Sequence, residues 1–101
     1  MKVILCTTPK NKSEELAQIL LEEKLAACVN IIPGIKSMYW WDGKIQTDTE
    51  DLLVIKTKEE LVKELTEKVK EVHPYEIPEV IALNVEDGNN EYIDWITKSV
   101  K

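Results

Sequence analysis

Residues 28–57, "CVNIIPGIKSMYWWDGKIQTDTEDLLVIKT", decide the fold. Two β-rich arms, 28–41 and 44–57, flank Asp42-Gly43, a strong signal for a two-residue hairpin turn. Pairing outward from that turn sets Trp41 against Lys44 and Cys28 against Thr57, with Pro33-Gly34 marking a bulge or kink. Each arm would reach roughly 46 Å at about 3.3 Å per residue. A domain of this size, with a radius of gyration of about 13 Å, is only about 33 Å across. The hairpin must therefore bend sharply or project beyond its own domain.

Upstream of the hairpin, residues 2–8, "KVILCTT", form an apolar run that ends at Pro9 and reads as a strand buried on both faces. Residues 11–27, "NKSEELAQILLEEKLAA", open with Asn11 three positions before Glu14, a capping-box-like start, and place Leu16, Ile19 and Leu20 on one helical face. That helix is expected to end near Lys24. Downstream, Thr57 with Glu60 makes a second capping box, and Leu61, Leu65, Val69 and Val72 recur at helical spacing. Pro74 disfavours helical geometry at His73, so this helix should stop at about Val72. Residues 79–85, "EVIALNV", read as a further strand, "EDGNN" as a turn, and "EYIDWITKSV" as a short helix capped by Asn89 or Asn90.

The order is βαββαβ with an extra C-terminal helix, which predicts an α+β, ferredoxin-like sandwich in a single domain spanning 1–101. Three of its strands look apolar on both faces, while the helices of one chain can cover only one. Together with the overlong hairpin, this predicts a homo-oligomer, a closed ring in which each hairpin reaches a neighbour.

Composition narrows the function. The chain of 101 residues carries a net charge of −6, which argues against a nucleic-acid surface. All of its positive side chains are lysines, so the planar fork best suited to phosphate or carboxylate is missing. No apolar run approaches the roughly 20 residues needed to span a bilayer, and no signal peptide is visible, so no membrane partner and a cytoplasmic location are expected. Cys6 and Cys28 lack CxxC spacing and read as reduced thiols. The chain has no Gly-rich phosphate loop, and no motif accompanies a Cys6–His73 pair that would mark an enzyme.

Connectivity brings the end of the first strand with Cys6, the hairpin tip, and "HPYEIPEV" (73–80) to one end of the sheet, with Cys28 at the other. A thiolate and an imidazole suit copper or zinc, and Glu76 could add an oxygen, making Cys6, His73 and Glu76 the candidate metal ligands. Each has a plainer reading: Cys6 as a small core residue, His73 as a helix C-terminal cap, Glu76 and Glu79 as solvated carboxylates. Trp40 and Trp41 on a projecting tip suit an intersubunit contact or a ligand-stacking pocket, and Tyr75 fits the same division.

The segments "LCTTP", "LAACVNIIPGIKSMYWWDGKI", "LVIKT", "HPYEIPEV" and "YIDWI" resemble, in order and spacing, the CutA divalent-cation tolerance family over nearly the whole chain. The resemblance implies a ferredoxin-like subunit in a tight trimer held by the long hairpins. It also implies a non-enzymatic role in tolerance of copper and other divalent cations, with no obligatory cofactor and Cu²⁺ or a similar ion as a weak ligand. Cys6 and His73 match positions proposed to bind copper in some members, although Val72 stands where some members have a further histidine. In mammals, relatives are associated with membrane anchoring of acetylcholinesterase, for which this chain shows no extra segment. Likeness of the trimeric fold to PII-type signalling proteins implies an alternative, a sensor of a small anion or metabolite in an intersubunit cleft formed by Tyr39, Trp41, Lys56 and Tyr75. A third alternative is a scaffold for other proteins.

Overall fold

The computed structural model describes residues 1–101. In chain order it comprises β1 (Lys2–Thr8), α1 (Ser13–Glu22), β2 (Cys28–Trp41), β3 (Lys44–Thr57), a 3₁₀ turn (Glu59–Leu61) that runs into α2 (Val62–Val72), β4 (Ile81–Asn84) and α3 (Asn90–Ser99). The strands form one sheet in the order β2-β3-β1-β4, and every neighbouring pair is antiparallel. The α+β class and the element order are those expected; β4 is shorter than the 79–85 run suggested.

Asp42 (φ 53°) and Gly43 (φ 74°) both adopt left-handed backbone, the geometry of a type I′ hairpin turn. Trp41 accordingly faces Lys44. The expected Cys28–Thr57 pairing does not form, because between Ile32 and Ile35 β2 holds one residue more than β3, and Cys28 faces Lys56 instead. Gly34 supplies the positive φ of 70° that this bulge needs. Its amide donates to Asp51 Oδ1 at 3.2 Å.

Neither capping box forms. The Lys12 amide closes a turn onto the Pro9 carbonyl at 3.0 Å, so α1 starts after Lys12 and has no side-chain cap. The Thr57 hydroxyl donates instead to the Leu25 carbonyl at 2.6 Å, tying β3 to the loop after α1. α1 also ends at Glu22, short of Lys24, which sits in left-handed backbone at φ 55°. By contrast α2 stops at Val72, with His73 extended (φ −75°, ψ 139°) as its proline neighbour requires. Asn89 caps α3 by accepting from the Glu91 amide at 3.0 Å.

Cross-strand partners share a sheet face. One face carries Ile4 and Cys6 of β1 and Leu53 and Ile55 of β3, fully buried against Leu16 and Leu20 of α1 and Leu65 and Val69 of α2. On the other face three rows cross the sheet: Cys28–Lys56–Val3–Leu83, Asn30–Val54–Leu5–Ile81 and Ile32–Leu52–Thr7. α3 packs against β3. Ile32, Ile81 and Leu83 remain about half exposed, so the expectation that this face lacks a cover within one chain is met. The hairpin makes the molecule 44 × 25 × 22 Å, and at its tip Met38, Trp40 and Ile45 lie largely in solvent.

Candidate functional site

Three segments converge at the tip-side end of the sheet: the end of β1, the outer half of the hairpin, and the stretch after α2. His73, nearly buried, places Nε2 2.8 Å from the Thr7 carbonyl. A carbonyl can only accept, so Nε2 carries a proton; Nδ1 accepts from the Tyr75 amide at 3.0 Å. The Tyr75 ring lies against the imidazole, with centroids 4.7 Å apart, and its hydroxyl donates to Glu50 Oε2 at 2.6 Å. Nearer the tip, the Tyr39 hydroxyl donates to the Asp48 carboxylate.

These contacts wall a cleft of about 670 Å³. Asp48, Glu50, Glu76 and Glu79 line it together with Tyr39, Trp41 and Tyr75, and no lysine or histidine is among its lining residues. The uncompensated charge is felt locally. Burial, reinforced by Glu50, pushes the Glu79 carboxyl up from its ordinary value. Burial and then the hydrogen bond to Glu50 push the Tyr75 phenol up, so it stays a donor.

The expected ligand set is not assembled. Cys6 points into the core, fully buried, and the only hydrogen-bond partner of its thiol is the Thr7 carbonyl at 3.8 Å. Burial, with smaller contributions from Glu79 and Glu50, pushes that thiol up to about 12, which opposes the thiolate a metal needs. Both nitrogens of His73 are already engaged, and Glu76 lines the cleft instead. No three His, Cys, Asp or Glu side chains come together to hold a metal ion. The separation of Cys28 from this end is as expected.

Of the four expected cleft residues, Tyr39, Trp41 and Tyr75 line the cleft, and Lys56 does not. Lys56 faces Cys28 at the far end of β3, with its ammonium 3.9 Å from the Cys28 sulfur and hydrogen-bonded to Asn30. Ten residues separate it from Gln46, the partner of Tyr39, a span of roughly 33 Å. Asp48 and Glu50, overlooked in the sequence, were findable. Counting from the Asp42-Gly43 turn pairs Ser37 with Asp48, and strand alternation puts Asp48 and Glu50 on the face of Tyr39.

The Cys6 environment predicts a pH response. A thiol held above its unfolded value of 9.0 keeps its proton better in the folded chain. Its contribution to stability is therefore complete below pH 9 and is lost as pH rises from there towards 12, at about 1.4 kcal/mol per pH unit. Denaturant melts of Cys6→Ala between about pH 8.5 and about pH 10.5 should show a shallower decline than the unsubstituted chain; parallel declines would refute the assignment.

An antiparallel α+β domain with an overlong hairpin and an acidic, aromatic cleft at the tip-side end of its sheet is the class that this fold and site define. The chain belongs to the CutA1 divalent ion tolerance protein family, whose model matches residues 2–99. It is 53% identical over 100 residues to the chloroplastic protein CutA 1 of rice (Oryza sativa subsp. japonica), covering 98% of this chain and 56% of that one. The chain thus spans a little over half the length of this plant relative. Among solved structures, the divalent cation tolerance protein of Thermus thermophilus superposes with a TM-score of 0.96 at 44% identity, covering 100% of both chains. The periplasmic divalent cation tolerance protein CutA of Archaeoglobus fulgidus does so with 0.95 at 44% identity, again over 100% of both. The rice and Archaeoglobus proteins are described as chloroplastic and periplasmic, so likeness carries no single compartment to this chain. No helix is long and apolar enough to cross a membrane.

Proposed function

We propose that the chain is a non-enzymatic subunit of a homotrimer with a ferredoxin-like fold that acts in divalent-cation tolerance and binds Cu²⁺ or a similar cation weakly. The observation that carries the cation site is the cleft itself: Asp48, Glu50, Glu76 and Glu79 with no positive group among them. Because no three ligands converge, the ion keeps much of its water and the affinity of one chain is low. Glu76 thus stays in the expected ligand set, while Cys6 and His73 leave it.

The uncovered apolar rows and the bare hairpin tip support the trimer, since a neighbour's hairpin can cover what α3 leaves open. Cys6 and Cys28 are both free thiols, which suits a reducing compartment such as the cytoplasm. The alternative of an anion sensor in an intersubunit cleft draws no support from one chain, in which Lys56 lies far along β3 from Tyr39.

Calorimetric titration with Cu²⁺ tests the reading. Glu76→Gln with Glu79→Gln should weaken binding about tenfold, and His73→Ala should leave it within about twofold. Loss of binding in His73→Ala with none in the double variant would return the site to the imidazole.

A further inference from the structure

Cys28 and Lys56 form a pair of reactive groups that the acidic cleft does not use. They stand directly opposite each other across β2 and β3, which sets their Cβ atoms about 4.5–5.5 Å apart on one face of the sheet. The Lys56 ammonium donates to the Cys28 sulfur at 3.9 Å and to the side-chain oxygen of Asn30, two positions along β2 on that same face. No carboxylate pairs with it and draws it away. The Cys28 thiol is free and only part-buried. Cys6, the other free thiol, faces Leu53 on the helix-covered side of the sheet and is sealed in the core, so the two sulfurs lie on opposite faces.

We infer that Cys28 and Lys56 form a reversible redox switch, in which a peroxide oxidises the thiol and the lysine amine then closes a nitrogen–sulfur bond. In the first step the Cys28 sulfur attacks hydrogen peroxide. The O–O bond breaks, sulfur is oxidised to the sulfenic acid, and the peroxide is reduced to water. A sulfenic acid condenses with a thiol or with a nitrogen. Cys6 is out of reach within the chain, so the nucleophile in place is Lys56. Its Nζ, after giving its extra proton to solvent, attacks the sulfur. The N–S bond forms as the S–O bond breaks, and the hydroxide leaves as water with a second proton from the nitrogen. A small thiol reverses the link by attacking the Cys28 sulfur: nitrogen leaves and takes a proton, and a second thiol then releases Cys28 from the mixed disulfide. The link joins the first residue of β2 to the penultimate residue of β3, closing the open end of the hairpin. It also removes one positive charge from a chain whose formal net charge is −6.

The test treats the full chain in its native assembly with hydrogen peroxide, with a chelator present to exclude metal-driven oxidation. Peptide mass spectrometry should find Cys28 and Lys56 joined with the loss of two hydrogens, and isoelectric focusing should move the chain towards acid. Dithiothreitol should restore both. Lys56→Arg keeps the cation but removes the amine, so it should lose the link, and dimedone should then trap Cys28 as the sulfenic acid. Cys28→Ser should lose both the link and the dimedone label. Cys28 left unmodified by peroxide, a disulfide between chains in place of the link, or the same oxidised products in the unsubstituted chain and Lys56→Arg would each overturn the proposal.

Discussion

Asp51→Ala should destabilise the chain by about 2–4 kcal/mol in denaturant melts. Asp51 is nearly buried on the helix-covered side of β3, opposite Thr8. One oxygen accepts from the Ser13 hydroxyl at 2.6 Å and the other from the Gly34 amide at 3.2 Å. The same carboxylate thus joins the first residue of α1 to the bulge that bends β2. It also places negative charge at a helix N-terminus, where the backbone dipole favours it. Alanine leaves a buried hydroxyl and an amide without their acceptor and opens a small void. Asp51→Asn keeps one acceptor oxygen and should cost about half as much. Equal losses in the two variants would show that the hydrogen-bond network does not set the effect.

In the proposed trimer, the paired change Trp40→Ser with Ile45→Ser should reduce the mass seen by light scattering from three chains to one at micromolar concentration. These residues face each other across the hairpin tip, and each is well over half exposed in a single chain. Burying such side chains against a neighbour contributes about 1.5–3 kcal/mol each, repeated at every interface of a ring. Neither belongs to the core formed by β1, β3, α1 and α2, so the far-ultraviolet circular dichroism of the monomer should be unchanged. A variant that still scatters as a trimer would move the interface away from the tip and onto the uncovered rows of the sheet.

Most of the fold was legible because its signals are local. Asp42-Gly43 sets the hairpin, since both positions tolerate positive φ. Pro74 ends α2 at Val72, since the residue before proline avoids helical geometry. The overlong arms called for a hairpin that bends sharply or projects beyond its own domain, and the 44 Å length favours projection. Cap assignments failed because a short polar side chain has several partners within reach. Thr57 found the Leu25 carbonyl, and Ser13 found Asp51, each partner distant in the chain.

The site was legible only in part. Residues 73–80 and the tip were correctly brought to one end of the sheet, and Tyr39, Trp41 and Tyr75 do share a cleft. Within one chain Lys56 lies apart from them, which counting residues along β3 shows. The joint role given to Cys6, His73 and Glu76 rested on proximity alone. Proximity says nothing about which side of a strand a thiol faces, or whether an imidazole nitrogen is already taken.

The sequence by itself thus determined the order of elements, the hairpin with its turn, the end of α2, the negative charge and the family, all of which follow from short-range sterics, periodicity, composition and motif. Only the tertiary structure decided that the bulge at Gly34 shifts Cys28 onto Lys56, that Cys6 is sealed in the core, and that His73 spends both nitrogens on backbone. It alone shows Glu50 nearly buried and accepting from the Tyr75 hydroxyl in an acidic cleft. Those outcomes depend on register, strand face and competition for hydrogen bonds between residues far apart in the chain, which no local stretch encodes.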